Sequence, residues 1–183
     1  MFDEVYELLK DDRYEEARVL IRRELKQLKR NDWMRHWWLT KLSSVYYEER
    51  RYRKALSLAE QAFQIAPRCP LVLWDYAGAL EMVGREEEAL SIWSELCQKS
   101  IKTLAHGKCG EGTRWAKALR NDCRFRIADV YRHQDNLQKA RLYFLLYIRK
   151  RREGVGSIYT QRDAKKKLDD IQKKLSANAG EEV

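Results

Sequence analysis

Apolar residues recur at three- and four-residue spacing along almost the whole chain, and the interruptions fall in short polar or glycine-containing segments. In a helix with 3.6 residues per turn, this spacing places the apolar side chains on one face. The pattern therefore predicts an all-α protein. About nine helices are expected, arranged as four antiparallel hairpins and a terminal helix.

The apolar pattern also repeats along the chain. The first clear unit, residues 36–69, has these residues on its two predicted helices: Leu39, Leu42, Ser43, Tyr46, Ala55, Ala59 and Ala62. The second, 70–103, has Leu73, Tyr76, Ala77, Leu80, Gly84, Ala89, Trp93 and Leu96 at corresponding positions. The third, 121–154, has Ile127, Ala128, Tyr131, Asp135, Ala140, Phe144 and Tyr147. A fixed period of this kind predicts a repeat architecture in which each hairpin covers its neighbour.

The order of large and small residues in these units resembles the tetratricopeptide repeat (TPR), a helix–turn–helix motif of about 34 residues. The stretch from Gly84 to Ala89 matches the family's turn and second-helix start most closely, whereas Asp135 stands where the family has a turn glycine. The resemblance implies a right-handed superhelix of antiparallel hairpins. The chain is also similar to small stand-alone bacterial repeat proteins of uncharacterised function, for example in the stretch from Cys109 to Gly112.

The remaining segments are placed relative to the repeats. Residues 1–175 are predicted to form one domain, with an atypical first hairpin over 3–35 and a capping helix over 157–175 that begins at Ser157 or Thr160. Residues 176–183 are predicted to be a flexible acidic tail. Between the second and third units lies an insertion, 104–120, which holds three of the eight glycines. Its first part is predicted to be a loop, with Thr113 as a candidate cap for a helix that includes Trp115 to Leu119.

The composition argues against a disordered protein, a membrane protein and a disulfide-stabilised protein. Charged residues make up 36% of the chain, with only 8 Gly and 2 Pro, which favours a packed helical protein over disorder. No apolar stretch approaches the length of a membrane span, and the amino terminus lacks a signal-peptide core, so a soluble cytoplasmic protein is expected. The four cysteines lack CxxC spacing and are expected to be reduced.

The charge is unevenly distributed. Residues 99–174 carry 21 basic and 8 acidic residues, whereas the whole chain has a net charge of +9. Such an excess attracts an acidic protein partner or nucleic acid, or it forms a solvated helix face without a ligand. The nucleic-acid alternative would use Arg and Lys on phosphates and aromatic residues such as Trp115, Tyr147 or Tyr159 on bases.

The insertion offers a second candidate binding site, formed by His106, Cys109, Arg114 and Trp115. Non-repeat loops often carry binding residues, although this one also fits a simple connection. His106 and Cys109 do not have the spacing of a paired zinc-ligand motif, and no third residue is evident to orient a catalytic Cys–His pair. Phosphate-loop and common hydrolase motifs are absent from the sequence. No metal, cofactor or catalytic activity is predicted.

In proteins that resemble this repeat, the first helices line a concave groove. The corresponding residues here include Trp37, Thr40, Ser44, Tyr47, Leu71, Trp74, Glu81, Phe125, Asp129 and Arg132. Trp, Tyr and Arg often concentrate binding energy at interfaces. The alternative is that Trp37 and Trp74 seal contacts between repeats. The leading hypothesis is a noncatalytic module that binds a peptide or helix of a partner protein, as a chaperone, an adaptor or an immunity-type protein.

Overall fold

The computed structural model describes residues 2–30 and 32–181, and these residues form ten α-helices and no strand. The helices are α1 Phe2–Lys10, α2 Tyr14–Gln27, α3 Arg35–Glu48, α4 Tyr52–Ile65, α5 Pro70–Met82, α6 Glu86–Gln98, α7 Ile101–His106, α8 Gly112–His133, α9 Leu137–Arg152 and α10 Gln161–Glu181. The predicted all-α helical-repeat fold is confirmed. The expectation of about nine helices is one short, because α7 was not predicted.

The hairpin turns repeat the same backbone conformation. One residue in each turn adopts a left-handed φ of 56° to 84°: Asp12, Arg50, Gly84, Asp135 and Gly154. The next amide donates to the carbonyl five residues earlier, at 2.8 to 3.0 Å, from Arg13, Arg51, Arg85, Asn136 and Val155. This hydrogen bond satisfies a terminal helix carbonyl and reverses the chain. Asp135 therefore performs the role of the turn glycine.

The predicted insertion loop is mostly helical. Ser100 caps α7 by accepting a hydrogen bond from the amide of Thr103 at 3.0 Å, so residues 101–106 form a helical turn and a half. α8 then begins at Gly112, which corrects the later start expected near Trp115. Thr113 lies inside α8 and does not cap it. The glycine-rich composition signalled a loop, but only residues 107–111 form a tight turn.

The carboxyl-terminal helix starts after the second of its two predicted caps and ends later than predicted. Thr160 caps α10 by accepting a hydrogen bond from the Asp163 amide at 3.0 Å, and Ser157 lies outside the helix. The helix continues to Glu181, which corrects the expected flexible tail from residue 176. The segment contains no proline, and Ser176 donates to the carbonyl of Gln172, as within a regular helix. Residues 182–183 of the predicted tail lie outside the described residues.

The structure divides into two compact units, Met1–Ala89 and Leu90–Val183, where the sequence predicts one domain. The division has a physical basis, since each unit has a buried cluster of its own. The cluster in the first unit includes Val5, Ile21, Val45, Tyr46 and Ala59, so the atypical first hairpin packs into the same core as the first repeat. The cluster in the second unit includes Phe125, Phe144, Tyr147, Leu168 and Ile171.

Candidate functional site

A half-buried surface lies on α3 and α5 in the first unit. We call it the α3–α5 face, and it consists of Trp37, Lys41, Ser44, Tyr47, Leu71, Trp74, Asp75, Gly78 and Glu81, all partly exposed. These residues recur at three- or four-residue intervals, so each helix presents them on one side. The face contains six of the predicted groove residues. It also contains Lys41 and Asp75, which are not among the predicted groove residues.

Two contacts join the helices across this face. The Ser44 hydroxyl lies 2.9 Å from Asp75 Oδ2 and 3.0 Å from the carbonyl oxygen of Thr40. Its single proton serves one of the two acceptors at a time. The Tyr47 ring lies over Gly78, 3.8 Å from the position that a Cβ atom would occupy there. Gly78 thus leaves room for the tyrosine ring between the helices.

Asp75 is an ionisable group of this face whose pKa is changed by its surroundings. Burial raises the pKa of Asp75 to about 6, although the Ser44 hydrogen bond and the charge of Lys41 act in the opposite direction. The carboxylate is consequently close to its titration range at neutral pH, and it is suited to accept hydrogen bonds from a partner. One signal could have identified it, since Asp75 is a charged residue between Trp74 and Tyr76 in the middle of a largely apolar helix.

Thr40 is not part of this face, which corrects its placement in the groove. Its side chain is buried, and its hydroxyl donates to the carbonyl of His36 at 2.7 Å. A β-branched threonine readily makes this bond to the preceding helical turn. The hydroxyl is therefore engaged inside the helix.

The predicted groove positions in the third repeat are covered by the chain that leads into α10. Phe125 is only 4% exposed, and its ring stacks on Tyr159 with centroids 4.1 Å apart. Asp129 accepts from Lys167 at 2.6 Å and from Arg132 at 2.8 Å. Phe125 and Asp129 are therefore interior residues of the second unit, which corrects their assignment to a partner-binding groove.

Arg132, another predicted groove residue, forms an ion pair with Asp129. Burial by itself would raise the pKa of Asp129, but the hydrogen bonds and charges of Lys167 and Arg132 hold it below its ordinary value. Arg132 is partly exposed, so one edge of this ion-paired cluster reaches the surface. The arrangement fixes α10 to α8 within the second unit.

The four residues of the predicted insertion site have different surroundings. His106 ends α7 and is exposed, whereas Arg114 and Trp115 lie in the first turn of α8. Cys109 is 6% exposed, so its thiol is not available to a macromolecular partner.

Burial also raises the pKa of Cys123 well above its ordinary value, which keeps that thiol protonated and weakly nucleophilic.

The repeated hairpins identify the architecture. α4 and α6 begin at Tyr52 and Glu86, one TPR period apart, and the turns before both helices share the left-handed residue and the same hydrogen bond. The fold is an all-α helical repeat whose hairpin period resembles that of the TPR. No protein-family model matches the chain, and no curated protein matches it.

A solved structure gives a comparison for the TPR-like fold. The chain is similar to the C-terminal part of a TPR repeat-containing protein from Cytophaga hutchinsonii, with 17% sequence identity and a TM-score of 0.44. The similarity covers 81% of this chain and 64% of the other chain.

Within residues 2–30 and 32–181, no helix combines the length and apolar character that crossing a membrane requires.

Proposed function

We propose that this protein is a noncatalytic interaction module that binds a peptide or helix of a partner protein on the α3–α5 face. The observation that carries the proposal is that Trp37, Tyr47 and Trp74, all partly exposed, lie on α3 and α5, the two helices that the Ser44–Asp75 hydrogen bond joins. Large aromatic side chains supply contact area at little cost in conformational entropy, and a carboxylate among them supplies directional hydrogen bonds.

The chemistry of the face defines the partner segment that would fit. Apolar side chains of the segment would pack on Leu71 and the two tryptophans, and a donor group such as Arg, Lys or a backbone amide would meet Asp75. Lys41 offers a cation for an acidic group of the same segment. A helix or extended peptide with mixed apolar and charged residues satisfies these requirements, as expected for a chaperone, an adaptor or an immunity-type protein.

The direct test is Trp74→Ala, compared with Leu142→Ala as a matched control on a surface of the second unit. Leu142 is 54% exposed on α9, far from the proposed face in sequence. A partner is first isolated by affinity purification from the native cell, then purified, and its Kd is measured by calorimetry. Truncating an interface anchor costs about 2 kcal/mol, or roughly thirtyfold in Kd.

The expected result is a thirtyfold weaker complex for Trp74→Ala, with wild-type affinity for Leu142→Ala and unchanged circular dichroism for both variants. Equal affinity for the folded Trp74→Ala protein would exclude the tryptophan as an anchor. If Trp74→Ala unfolds, Asp75→Asn provides the second variant. It keeps an acceptor for Ser44 and removes the charge offered to the partner.

A second candidate function is nucleic-acid binding by the basic half. The observation that favours it is the excess of 21 basic over 8 acidic residues in 99–174. Single-stranded RNA binding that weakens steeply with salt, and that Trp74→Ala leaves unchanged, would support this alternative.

A further inference from the structure

A small basic pocket lies in the second unit, between the middle of α8 and the end of α9. Its volume is about 360 Å³. Lys117, Arg120 and Arg124 line it from α8, and Lys150 and Glu153 line it from α9 and the turn that follows. Ile101 and Val155 complete the wall. The volume is in the range of small-molecule sites, and the lining contains four cations and one carboxylate.

The single carboxylate is already engaged. Glu153 accepts from Lys150 at 2.5 Å and also lies 3.9 Å from Arg149 Nε. Its hydrogen bond with Lys150 and the neighbouring positive charges lower the pKa of Glu153, so it is ionised at neutral pH. The negative charge is therefore balanced at the α9 side of the pocket.

The three α8 cations are not balanced in this way. Lys117, Arg120 and Arg124 follow each other at intervals of three and four residues, which places them on one face of the helix. Within the described part of the chain, none of the three forms an ion pair within 4.0 Å; Arg124 donates to the amide oxygen of Asn121 at 3.4 Å, and its charge also acts on Glu153. Like charges at this spacing repel one another.

Arg120 adds an independent observation. Its Nε atom is buried and has no hydrogen-bond partner among the described residues. A buried donor without an acceptor is costly, and such groups are rare unless a ligand or ion satisfies them. By contrast, Arg132 on the same helix lies beside a carboxylate that accepts from its Nε at 2.8 Å. The pocket thus combines excess positive charge with a lining arginine whose Nε has no acceptor among the described residues.

We propose that this pocket binds the terminal phosphate or pyrophosphate group of a small molecule. A guanidinium presents parallel donors that match the oxygens of a phosphate group, and two guanidiniums with a lysine suit a group of two or more negative charges. Among the described residues, the wall has no aromatic side chain on which a base would stack, and a pocket of this size fits a chain end better than a continuous nucleic-acid backbone. The site lies in the second unit, and the proposal does not depend on the function proposed for the α3–α5 face of the first unit.

The test is isothermal titration of the full-length protein with pyrophosphate, and separately with inorganic phosphate, at low salt. One-to-one saturable binding is expected. If the site takes two phosphoryl groups, pyrophosphate should bind more tightly than phosphate. If it takes one, the two probes should bind with equal affinity. Arg120→Gln and Arg124→Gln should each weaken binding on the order of tenfold, because each removes a charge-assisted hydrogen bond. Lys166→Ala is the control, since it removes an exposed cation of the same unit outside the pocket.

Equal losses for Arg120→Gln and Lys166→Ala would overturn the proposal, because they would indicate general charge attraction. Absence of saturable binding by about 10 mM pyrophosphate would overturn it as well. Displacement of pyrophosphate by single-stranded RNA at equal phosphate concentration would reassign the pocket to nucleic acid. Thermal unfolding of each variant separates lost binding from lost folding, and Arg120→Lys keeps the charge if Arg120→Gln does not fold. The Trp74→Ala protein should bind pyrophosphate normally, so failure of either proposal leaves the other testable.

Discussion

Asp122 is a buried acid with a structural role. It lies on α8 and accepts hydrogen bonds from the Ser157 hydroxyl and from the Ile158 amide, the latter at 3.3 Å. The Tyr147 hydroxyl lies 2.6 Å from the carbonyl oxygen of Tyr159 and 2.9 Å from the Ser157 hydroxyl. These bonds hold the connection between α9 and α10 against α8. Ser157, a candidate helix cap from the sequence, thus orders a connection outside the helix.

Burial raises the pKa of Asp122 to about 6, despite hydrogen bonds from Ser157 and Ile158 that favour the charged form. The folded protein consequently binds this proton more tightly than the unfolded chain, whose Asp has its ordinary value of 3.8. The resulting stabilisation is fully present below that value and is lost as the pH rises through about 6. We expect Asp122→Asn to reduce this pH dependence.

Asparagine keeps an acceptor oxygen but carries no charge. Asp122→Asn should therefore match or exceed the stability of the wild-type protein at about pH 8, and its gain in stability towards about pH 4 should be smaller. Urea unfolding across this range measures both effects. Asp122→Ala is the control, because it leaves the donors of Ser157 and Ile158 unpaired and should be less stable at every pH. A wild-type pH profile for Asp122→Asn would contradict the pKa shift.

Arg50 adopts a left-handed φ of 59° in the turn between α3 and α4, where a glycine would suffer less strain. Arg50→Gly should stabilise the protein by about 0.5 to 1 kcal/mol, since the relief of strain exceeds the added entropy of the unfolded glycine. Arg50→Ala tests the cause, because it removes the side chain and retains the strain. Chemical denaturation should show a gain for glycine only, and an equal gain for alanine would instead identify the arginine side chain as unfavourable.

At the level of helices, α10 is a packed element of the second unit. Its inner stripe of Ala164, Leu168 and Ile171 is buried with Phe144 and Tyr147, whereas Lys165 and Lys166 face water. The alternation matches the amphipathic pattern read from the sequence. Tyr159, just before α10, stacks on Phe125, so the groove position predicted on α8 is covered.

Ile171→Ala tests the contribution of α10 to folding. Ile171 is 1% exposed, so its truncation should lower the free energy of unfolding by about 2 to 5 kcal/mol through lost burial and a residual cavity. The neighbouring Gln172 is exposed, and Gln172→Ala should change stability by less than about 0.5 kcal/mol. Equilibrium unfolding in urea gives both values. Equal small effects would show that α10 adds little to the core.

At the scale of the whole chain, the distribution of charge makes a separate prediction. Three lysines follow one another at residues 165–167 of α10. Lys167 is partly buried and paired with Asp129, so its charge is not simply solvated. Lys165 and Lys166 are the exposed members of the run, and Lys165→Ala/Lys166→Ala should leave stability nearly unchanged. The double variant therefore tests charge without breaking an ion pair.

If the basic half binds single-stranded RNA through these lysines, the double variant should reduce the slope of log affinity against log salt by about 1.4, or 0.7 for each lost phosphate contact. If it meets an acidic protein, the association rate should fall at low salt while the dissociation rate stays nearly constant. A salt series by surface plasmon resonance with both ligands separates these outcomes. Unchanged slopes and rates would mean that this lysine pair is only solvated.

Local patterns in the sequence were sufficient for the helices and most of their turns. The apolar spacing, the small residues Ala55, Ala59 and Ala62, and the turn at Gly84 predicted the hairpins correctly, because helix periodicity and turn chemistry act over a few residues. Two local predictions were wrong. The glycine content of 104–120 suggested a loop, although Ser100 caps a short helix, α7. The acidic ending suggested a flexible tail, although α10 continues to Glu181.

The sequence by itself determined which stretches are helical and which residues of each helix are apolar. Only the tertiary structure decided which faces are covered: Phe125 and Asp129 became interior through contacts with Tyr159 and Lys167, more than thirty residues away. The Ser44–Asp75 contact and the basic pocket beside Arg120 likewise join separate helices. Their formation depends on how helices pack, and periodicity within one helix carries no information on which neighbour will cover its surface.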